Sequence, residues 1–387
     1  MKIAYILNST VQTNGANMSF REMLAGVMKL GVEPLVICPD QQEFYHELKG
    51  KGIRVETLNY RAAVYPNGFD SVMDYFLFIP RLFARIFINN KAMRETVRIL
   101  KEFKPDLIHT NVGVIDIGYL ASRQLGIPHI FHVREYADKD FGLYFYPTVA
   151  RFNRFAAAKD SYTVCITKDI QRHRKLSDLP SSHVIYNGIR HCMTEMPLTG
   201  QRDYFLYAGR IASTKGLHIL LESYNEYCKK TKKPMKLLIA GSEVGNKYIT
   251  QQKQFVKANG LSEFVEFLGK RSDINELMQH AKATVIPSLN EGFGRVMPEA
   301  MFNGCPVIVY DAAGSHEQLE NGRELTGCDI AFYYHNKQEL TKLLEKVSSM
   351  NDEELHPICS RAFDTVNSLY VTETNITKIM NLYNSII

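Results

Sequence analysis

The stretch TVIPSLNEGFGRVMPEAMFNGCPVIVYD, residues 284–311, decides the fold. TVIPS and PVIVY are short β-branched runs that predict buried strands. Between them, PEAMFNG has a proline suited to a first helical turn and a glycine suited to a helix end. The order is strand, glycine bend, short helix, strand, which is one parallel α/β unit. The bend is therefore expected at the carboxyl end of a strand, where open α/β sheets bind ligands.

Two glutamates bracket this bend. Glu291 and Glu299 have seven residues between them, and Gly292 and Gly294 flank Phe293 just after the first. The glycines let a ligand come close to the backbone, and carboxylates accept hydrogen bonds from hydroxyl groups. Each glutamate alone is better explained as a solvated residue or as a charge favoured at a helix start. Together with the glycines, they predict a site for a sugar attached to a phosphate.

Strand and helix patterns alternate along the whole chain. The first half has strand patterns such as KIAYIL, EPLVICP and HIFHVRE, and the second half begins again at YFLYAGR. We therefore predict two doubly wound α/β domains in series, at residues 1–185 and 203–365. The boundary is expected in the turn-rich stretch 183–203.

Composition narrows the class of protein. The chain has 387 residues and a formal net charge of +5, which is too weak to predict nucleic-acid binding. It is compatible with an anionic substrate or an anionic membrane surface. The seven cysteines include no C-x-x-C pair, so a reducing cytoplasm is expected. The opening MKIAYILNST is too short an apolar stretch for a signal peptide and predicts a first strand.

Two cations lie in the loop that opens the second half. YAGRIASTKG places Arg210 and Lys215 ahead of a predicted helix, an arrangement suited to a diphosphate. Basic residues are also common in ordinary exposed loops, but the two-glutamate bend in the same sheet favours a site. The loop is not a Walker loop, and neither half opens with G-x-G-x-x-G, which disfavours a nicotinamide dehydrogenase.

Three residues of the first half are weaker candidates. His132 ends a predicted strand, where it could contact a sugar or transfer a proton, and a structural role is equally compatible. Asp138 and Asp140 could bind a divalent metal, but two acids in a polar loop are common. We therefore expect no metal.

The stretch 69–104 is aromatic, apolar and basic, and Pro80 interrupts it. This composition is typical of a segment on a membrane surface. A core helix with a solvated basic face explains it at least as well.

The glutamate pair with EGFG, the GR…KG loop and LIAG…FLGK together resemble the retaining GT-B glycosyltransferases of family four. The resemblance covers nearly the whole chain and is strongest from Tyr204 to Gly327. It implies two Rossmann-like domains facing a central cleft, with a nucleotide-sugar donor held by the second domain and an acceptor facing the first. It also implies that the last helix, 373–387, returns to the first domain.

The resemblance assigns roles to individual residues. Arg210 and Lys215 would hold the donor diphosphate, Glu291 would touch sugar hydroxyls, and Glu299 would bind the ribose. The backbone of Gly292, Phe293 and Gly294 would lie beside the sugar and phosphates, Lys270 and Arg271 would bracket the base, and His132 would lie near the transferred sugar. Gly15 matches the family's first glycine loop, although QTNGANMS has one glycine where the family often has two. Members usually need no metal.

The predicted function is a retaining transfer of a hexose or N-acetylhexosamine from a nucleoside diphosphate sugar, UDP-linked, to a saccharide or polyprenyl-linked acceptor. The setting is surface polysaccharide assembly on the cytoplasmic face of the membrane. One alternative is a nucleotide-sugar epimerase of similar shape, which would interconvert the donor sugar without an acceptor. Another is a silent transferase-like partner subunit, which would bind no nucleotide.

Overall fold

The structure, a computed structural model, describes residues 1–12, 15–66, 72–197, 200–243 and 245–387. Parts of three features predicted from the sequence therefore lie outside the described residues: positions 13–14 of the first glycine loop, 69–71 of the basic aromatic stretch and 198–199 of the boundary stretch. The described chain forms two compact units. Unit 1 is Met1–Gly188 with Thr372–Ile387, and unit 2 is Ile189–Val371.

Unit 1 is built on a seven-stranded, fully parallel sheet in the order β3-β2-β1-β4-β5-β6-β7. Its elements in chain order are β1 (Lys2–Ile6), α1 (Gly15–Lys29), β2 (Glu33–Cys38), α2 (Glu43–Gly50), β3 (Arg54–Thr57), α3 (Val72–Phe103), β4 (Leu107–Thr110), α4 (Ile117–Leu125), β5 (His129–Val133), α5 (Asp138–Phe141), α6 (Val149–Ala156), β6 (Ser161–Cys165), α7 (Lys168–His173) and β7 (Ser182–Val184).

Unit 2 has a six-stranded parallel sheet in the order β10-β9-β8-β11-β12-β13. Its elements are β8 (Tyr204–Ala208), a 3₁₀ turn (Ser213–Lys215), α8 (Leu217–Lys230), β9 (Lys236–Ala240), α9 (Asn246–Ala258), β10 (Val265–Gly269), α10 (Ile274–Gln279), β11 (Ala281–Ile286), α11 (Val296–Phe302), β12 (Val307–Tyr310), α12 (Ala313–Thr326), β13 (Phe332–Tyr334), α13 (Lys337–Ser349) and α14 (Asp352–Leu369). The last helix of the chain, α15 (Thr372–Ile386), belongs to unit 1 and packs against α1.

Helices cover both faces of the unit 1 sheet, as the apolar character of its strands requires. One face packs against α1, α2 and α15 through residues such as Phe20, Phe44 and Ile379. The other face packs against α3 and α4 through residues such as Leu100 and Ile117. The prediction of two doubly wound α/β domains is confirmed.

Helix α3 differs from the sequence expectation. Pro80 was expected to interrupt the stretch, yet it lies inside one helix of 32 residues. Tertiary contacts hold the helix on both sides of the proline: Phe78 stacks on Tyr65 with 5.9 Å between ring centroids, and Arg85 Nη1 donates to the carbonyl oxygen of Val64 at 2.7 Å. Within the described residues, no helix is long and apolar enough to cross a membrane.

Three histidines are buried on the central strands of unit 1. His109 lies on β4, and His129 and His132 lie on β5, and none is more than 1% exposed. Burial disfavours the charged imidazole, so it lowers the pKa of His129 to about 3 and holds the pKa values of His109 and His132 well below 6.5. All three rings are therefore neutral at physiological pH.

The depressed pKa of His129 predicts a loss of stability in acid. The unfolded chain binds a proton below about pH 6.5 and the folded chain does not, so stability is lost as pH falls from about 6.5 toward 3. His129→Gln removes this group and keeps a side chain able to hydrogen-bond Thr110 Oγ1, which lies 2.8 Å from His129 Nε2. The stability gap between wild type and variant should shrink by about 2 kcal/mol between pH 8 and pH 5.

Urea unfolding at the two pH values measures this gap, and His356→Gln, at an exposed position, is the control. A gap for His129→Gln that does not change with pH would contradict the assignment.

Candidate functional site

The candidate site of unit 2 lies between β8 and β11, where the order in which the chain adds strands to the sheet changes direction. Strands β8 and β11 are neighbours in the middle of the sheet, with Ala283 opposite Phe205 and Thr284 opposite Leu206. The chain winds outward from this pair, through β9 and β10 on one side and β12 and β13 on the other. The loops after β8 and β11 therefore leave the same edge of the sheet side by side, which is the usual ligand position in a doubly wound fold.

The two loops touch through a glycine. Gly216 has a left-handed φ of +70°, and a Cβ added there would lie 2.1 Å from the carbonyl oxygen of Pro287. Any side chain at this position is thus strained, on both conformational and steric grounds. Ser288 Oγ donates to the carbonyl oxygen of Thr214 at 3.2 Å and joins the loops a second time.

This contact brings Lys215 to Glu291. Lys215 Nζ lies 2.8 Å from Glu291 Oε1, and the two side chains are only 22% and 16% exposed. Of the two predicted diphosphate ligands, Lys215 is thus paired with the first glutamate of the bend. Arg210 is exposed in the same loop, where its carbonyl oxygen accepts a hydrogen bond from Tyr207 Oη at 2.8 Å.

Helix α12 fixes the backbone of the glycine bend, residues 291–294, through hydrogen bonds. Gly314 N donates to the carbonyl oxygen of Glu291 at 2.9 Å, and Gln318 Nε2 donates to the carbonyl oxygen of Phe293. A Cβ on Gly314 would lie 2.7 Å from the carbonyl oxygens of Glu291 and Gly292, so the two backbones are in close contact.

Within the bend, Phe293 is a buried anchor. It is 3% exposed and packs edge-on against Tyr370, with 5.4 Å between ring centroids. Gly294 follows with φ +74°, a conformation that suits glycine. The aromatic ring therefore points into unit 2, and only the backbone of Phe293 could contact a ligand, as the resemblance implies.

Glu299 lies in the first turn of α11. Its Oε1 pairs with Arg295 Nη2 at 3.1 Å, and its side chain is 24% exposed. Partial burial raises the pKa of this carboxyl group, and the positive charge of Arg295 opposes the shift. Sequence reasoning missed Arg295, although its spacing of four residues from Glu299 in a helix is a signal for such a pair.

Lys270 and Arg271 lie farther along the same sheet edge. They follow β10, which β9 and β8 separate from β11. Both are exposed, and Arg271 is held by two bonds to Asp273, from Nε at 2.8 Å and from Nη2 at 2.5 Å. The structure does not bring these residues into contact with the Lys215–Glu291 pair.

In unit 1, His132 lies in a buried polar network. Its Nδ1 is 3.1 Å from His109 Nε2 and 3.3 Å from Arg134 Nη2. A guanidinium group only donates, so Nδ1 of His132 accepts and the ring proton resides on Nε2. Nε2 has no hydrogen-bond partner among the described residues.

The expected role of His132 is constrained by this setting. The ring is 1% exposed, so a sugar contact requires the side chain to become accessible. Its pKa lies well below 6.5, so the neutral ring can donate a hydrogen bond through Nε2 but does not carry a positive charge at neutral pH. Sequence reasoning missed its partner His109 and the tyrosine beyond it, Tyr383, whose hydroxyl is 2.6 Å from His109 Nδ1.

The remaining candidates of unit 1 have structural contacts. Gly15 is the first residue of α1, and Asn17 Nδ2 donates to the carbonyl oxygens of Ser9 and Val11, both at 2.9 Å, which shapes the loop before the helix. Asp138 Oδ1 is 2.8 Å from His173 Nε2, and Asp140 accepts from the backbone N–H of Tyr136 at 2.9 Å. In the described parts of the chain, no cluster of His, Cys, Asp and Glu is arranged to hold a metal ion.

Two family models match the chain. Residues 14–188 match the glycosyl transferase 4-like domain, and residues 194–362 match glycosyl transferases group 1. Together they leave out only residues 1–13, 189–193 and 363–387.

Together these matches identify the chain as a glycosyltransferase of the family-four type.

Solved structures similar to this glycosyltransferase share its fold. Anabaena Alr3699/HepE in complex with UDP superposes with a TM-score of 0.79 at 20% identity, over 100% of both chains. The same protein in complex with UDP-glucose gives a TM-score of 0.76. Together with the two parallel-sheet α/β units of this chain, these neighbours establish the two-domain Rossmann-like GT-B fold for this glycosyltransferase.

The relatives found by sequence match a smaller share of the chain than these structures do. An uncharacterised glycosyltransferase of Methanocaldococcus jannaschii is 26% identical over 260 residues, which are 65% of this chain and 67% of that protein. The capsular polysaccharide biosynthesis glycosyltransferase CapM of Staphylococcus aureus is 30% identical over 151 residues, 38% of this chain and 37% of its own length. The match thus spans about two thirds of the first relative and well under half of the second.

The contact between Gly216 and Pro287 yields a prediction. Gly216→Ala should destabilise this glycosyltransferase more than Gly260→Ala, by about 1–3 kcal/mol. Both glycines have positive φ, +70° and +67°, so both variants bear a similar conformational cost. Only at Gly216 does the new Cβ meet another atom, since nothing lies within 4 Å of a Cβ at Gly260.

Thermal and urea unfolding of the two variants measure the difference. Equal losses would mean that the two loops are not fixed by this contact.

Proposed function

We propose that the chain is a retaining hexosyltransferase. It transfers a hexose or N-acetylhexosamine from a UDP-linked sugar to a saccharide or lipid-linked acceptor in surface polysaccharide assembly. The observation that carries the proposal is the Lys215–Glu291 pair, which joins the loops after β8 and β11 in unit 2. Arg210 is exposed in the loop that also contains Lys215. This arrangement offers positive charge to a diphosphate and a carboxylate to the hydroxyl groups of a sugar beside it.

The Lys215–Glu291 pair suggests how the donor binds. Without a donor, Lys215 and Glu291 neutralise each other at 2.8 Å. A diphosphate competes for Lys215 with more negative charge than one carboxylate has. Once Lys215 turns to the phosphates, both oxygens of Glu291 can accept hydrogen bonds from the sugar. Donor binding thus replaces the Lys215–Glu291 ion pair with two sets of contacts, those of Lys215 with the diphosphate and those of Glu291 with the sugar.

The nucleoside would lie along the same sheet edge. Glu299, held by Arg295 and partly buried, accepts hydrogen bonds from the ribose hydroxyls. Lys270 and Arg271, after β10, bracket the base, and Asp273 fixes the plane of the Arg271 guanidinium group. The UDP and UDP-glucose complexes of the Anabaena neighbour support a uridine donor, and the name of the Staphylococcus aureus relative supports a role in polysaccharide assembly.

The chemistry of the transfer is electrostatic. As the bond from the sugar to the diphosphate breaks, negative charge grows on the leaving phosphate, and Arg210 and Lys215 stabilise it. The acceptor hydroxyl attacks the anomeric carbon from the same face on which the diphosphate leaves, so the anomeric configuration is retained. The leaving phosphate takes the proton of the hydroxyl group. In unit 1, His132 carries an Nε2–H that can donate a hydrogen bond to a sugar hydroxyl group once the ring becomes accessible. No metal ion takes part.

Nucleotide titration tests the donor site. Isothermal calorimetry with UDP, GDP, ADP and dTDP in the presence of EDTA should give binding of one nucleotide, with UDP expected. Lys215→Ala should weaken that binding by at least about tenfold, because a charge-assisted contact with the diphosphate is lost. If no nucleotide binds, the silent-partner alternative replaces the proposal, and binding that requires a divalent metal would overturn the metal-free mechanism.

Turnover tests the roles of the two cations. Arg210→Ala and Lys215→Ala should each lower kcat by about 10²-fold or more, because each removes stabilisation of the departing diphosphate. The control is Lys229→Ala on α8, where an exposed lysine pairs with Glu226 at 2.8 Å. UDP release from the donor identified by titration measures the rate, with saccharide and lipid-linked acceptors supplied in parallel.

The same reaction mixtures give the stereochemistry by proton NMR of the product. Wild-type rates in both alanine variants would exclude the site, and an inverted anomeric centre would exclude the same-face mechanism. Interconversion of the donor sugar without an acceptor would indicate the epimerase alternative.

A further inference from the structure

One face of α3 carries a continuous exposed stripe. Every third or fourth residue along the helix points to the same side. From Val72 to Lys101, nine exposed residues follow this spacing: Val72, Phe76, Ile79, Phe83, Phe87, Lys91, Arg94, Arg98 and Lys101. We call them the α3 stripe. Its first five residues are apolar and its last four are basic.

The apolar half of the α3 stripe is unusually open to solvent. Phe76, Phe83 and Phe87 are 74%, 68% and 71% exposed, and Ile79 is 54% exposed. Single exposed apolar residues are normal on protein surfaces, but an aligned row of large ones is typical of an interaction surface.

The stripe is held rigidly from the opposite face of α3. Leu82, Val97 and Leu100 are buried in unit 1. Asn89 bonds both backbone groups of Arg61, accepting from its N–H at 2.8 Å and donating to its carbonyl oxygen at 2.9 Å. Contacts on the inner face thus fix the helix. The phenylalanine rings therefore stay exposed in the folded unit 1.

Charge identifies the partner. Residues 75–94 include four basic residues and no acidic one. Nearby acids have partners: Asp74 pairs with Arg81 at 2.8 Å, and Glu95 pairs with Arg98 at 2.9 Å. A second copy of this chain would bring like charges together if the two stripes ran parallel. An anionic surface with an apolar interior satisfies both halves of the stripe.

We infer that the α3 stripe binds the surface of an anionic phospholipid bilayer. The rings of Phe76, Phe83 and Phe87 enter the boundary between headgroups and acyl chains, where interfacial helices place their apolar side chains. Lys91 and Arg94 contact lipid phosphates, and their flexible stems keep the charges at headgroup level. The helix lies along the surface, and unit 1 remains outside the bilayer.

Vesicle co-sedimentation tests the inference. Wild-type protein should bind phosphatidylcholine vesicles that contain about a third phosphatidylglycerol, and binding should fall steeply with added salt. Vesicles of phosphatidylcholine alone should bind it at least about tenfold more weakly, because the basic half of the stripe gains nothing from them. Two variants separate the halves: the triple variant Phe76→Ser, Phe83→Ser, Phe87→Ser and the double variant Lys91→Glu, Arg94→Glu. Each should weaken binding to the anionic vesicles by at least about tenfold.

A matched control removes comparable apolar surface elsewhere. Leu30, Tyr144 and Leu325 are 58%, 66% and 49% exposed, and their combined change to serine should leave vesicle binding unchanged. All variants should still bind the nucleotide found by calorimetry, which shows that they are folded and separates this inference from the proposed function.

Three outcomes overturn the inference. The first is no binding of wild-type protein to anionic vesicles at low salt. The second is equal binding of wild type and both stripe variants. The third is a dimer, seen by light scattering without lipid, that dissociates in the triple phenylalanine variant, since this would assign the α3 stripe to a second copy of the chain.

Discussion

The candidate site depends on the contact between Gly216 and Pro287. Parallel strands that are neighbours in the sheet but distant in sequence end at the same edge, so the loops that follow them must share a small space. After β8 and β11 this space is so small that the carbonyl oxygen of Pro287 lies 2.1 Å from the position that a Cβ at residue 216 would take. The close approach sets the distance between the start of α8 and the glycine bend. This contact brings together Lys215, one residue before it, and Glu291, four residues after it.

The bend is in turn fixed by its own backbone. Gly314 and Gln318 of α12 bind the carbonyl oxygens of Glu291 and Phe293, and the Phe293 ring is buried against Tyr370. A functional group whose supporting atoms are so constrained loses little entropy when a ligand arrives. The carboxylate of Glu291 is thus presented by a rigid bend, whereas Lys215 has a flexible stem that can turn from one anion to another. The same pair therefore combines a fixed acceptor with a mobile cation.

The sequence predicts those features that depend on local chemistry. The strands around residues 284–311, the bend between them and the two-domain organisation follow from β-branched runs and from the positions of glycine and proline. Contacts between distant residues were not predictable. The buried pair of His109 and Tyr383 joins residues 274 positions apart. Likewise, Pro80 locally favours a helix end, and only contacts with Tyr65 and Val64 reveal why α3 continues through it.

The distribution of charge distinguishes the two units. The candidate site of unit 2 is ionic, with Lys215, Arg210, Glu291 and Glu299 in or beside its loops. At the strand ends of unit 1, burial keeps His109 and His132 uncharged, and Arg134, which stays charged, donates to the side-chain oxygens of Asn111 and Asn187 at 3.0 and 2.6 Å. Lys91 and Arg94 of the α3 stripe are exposed and form no ion pair within the described residues, so an external anionic surface accounts for them best.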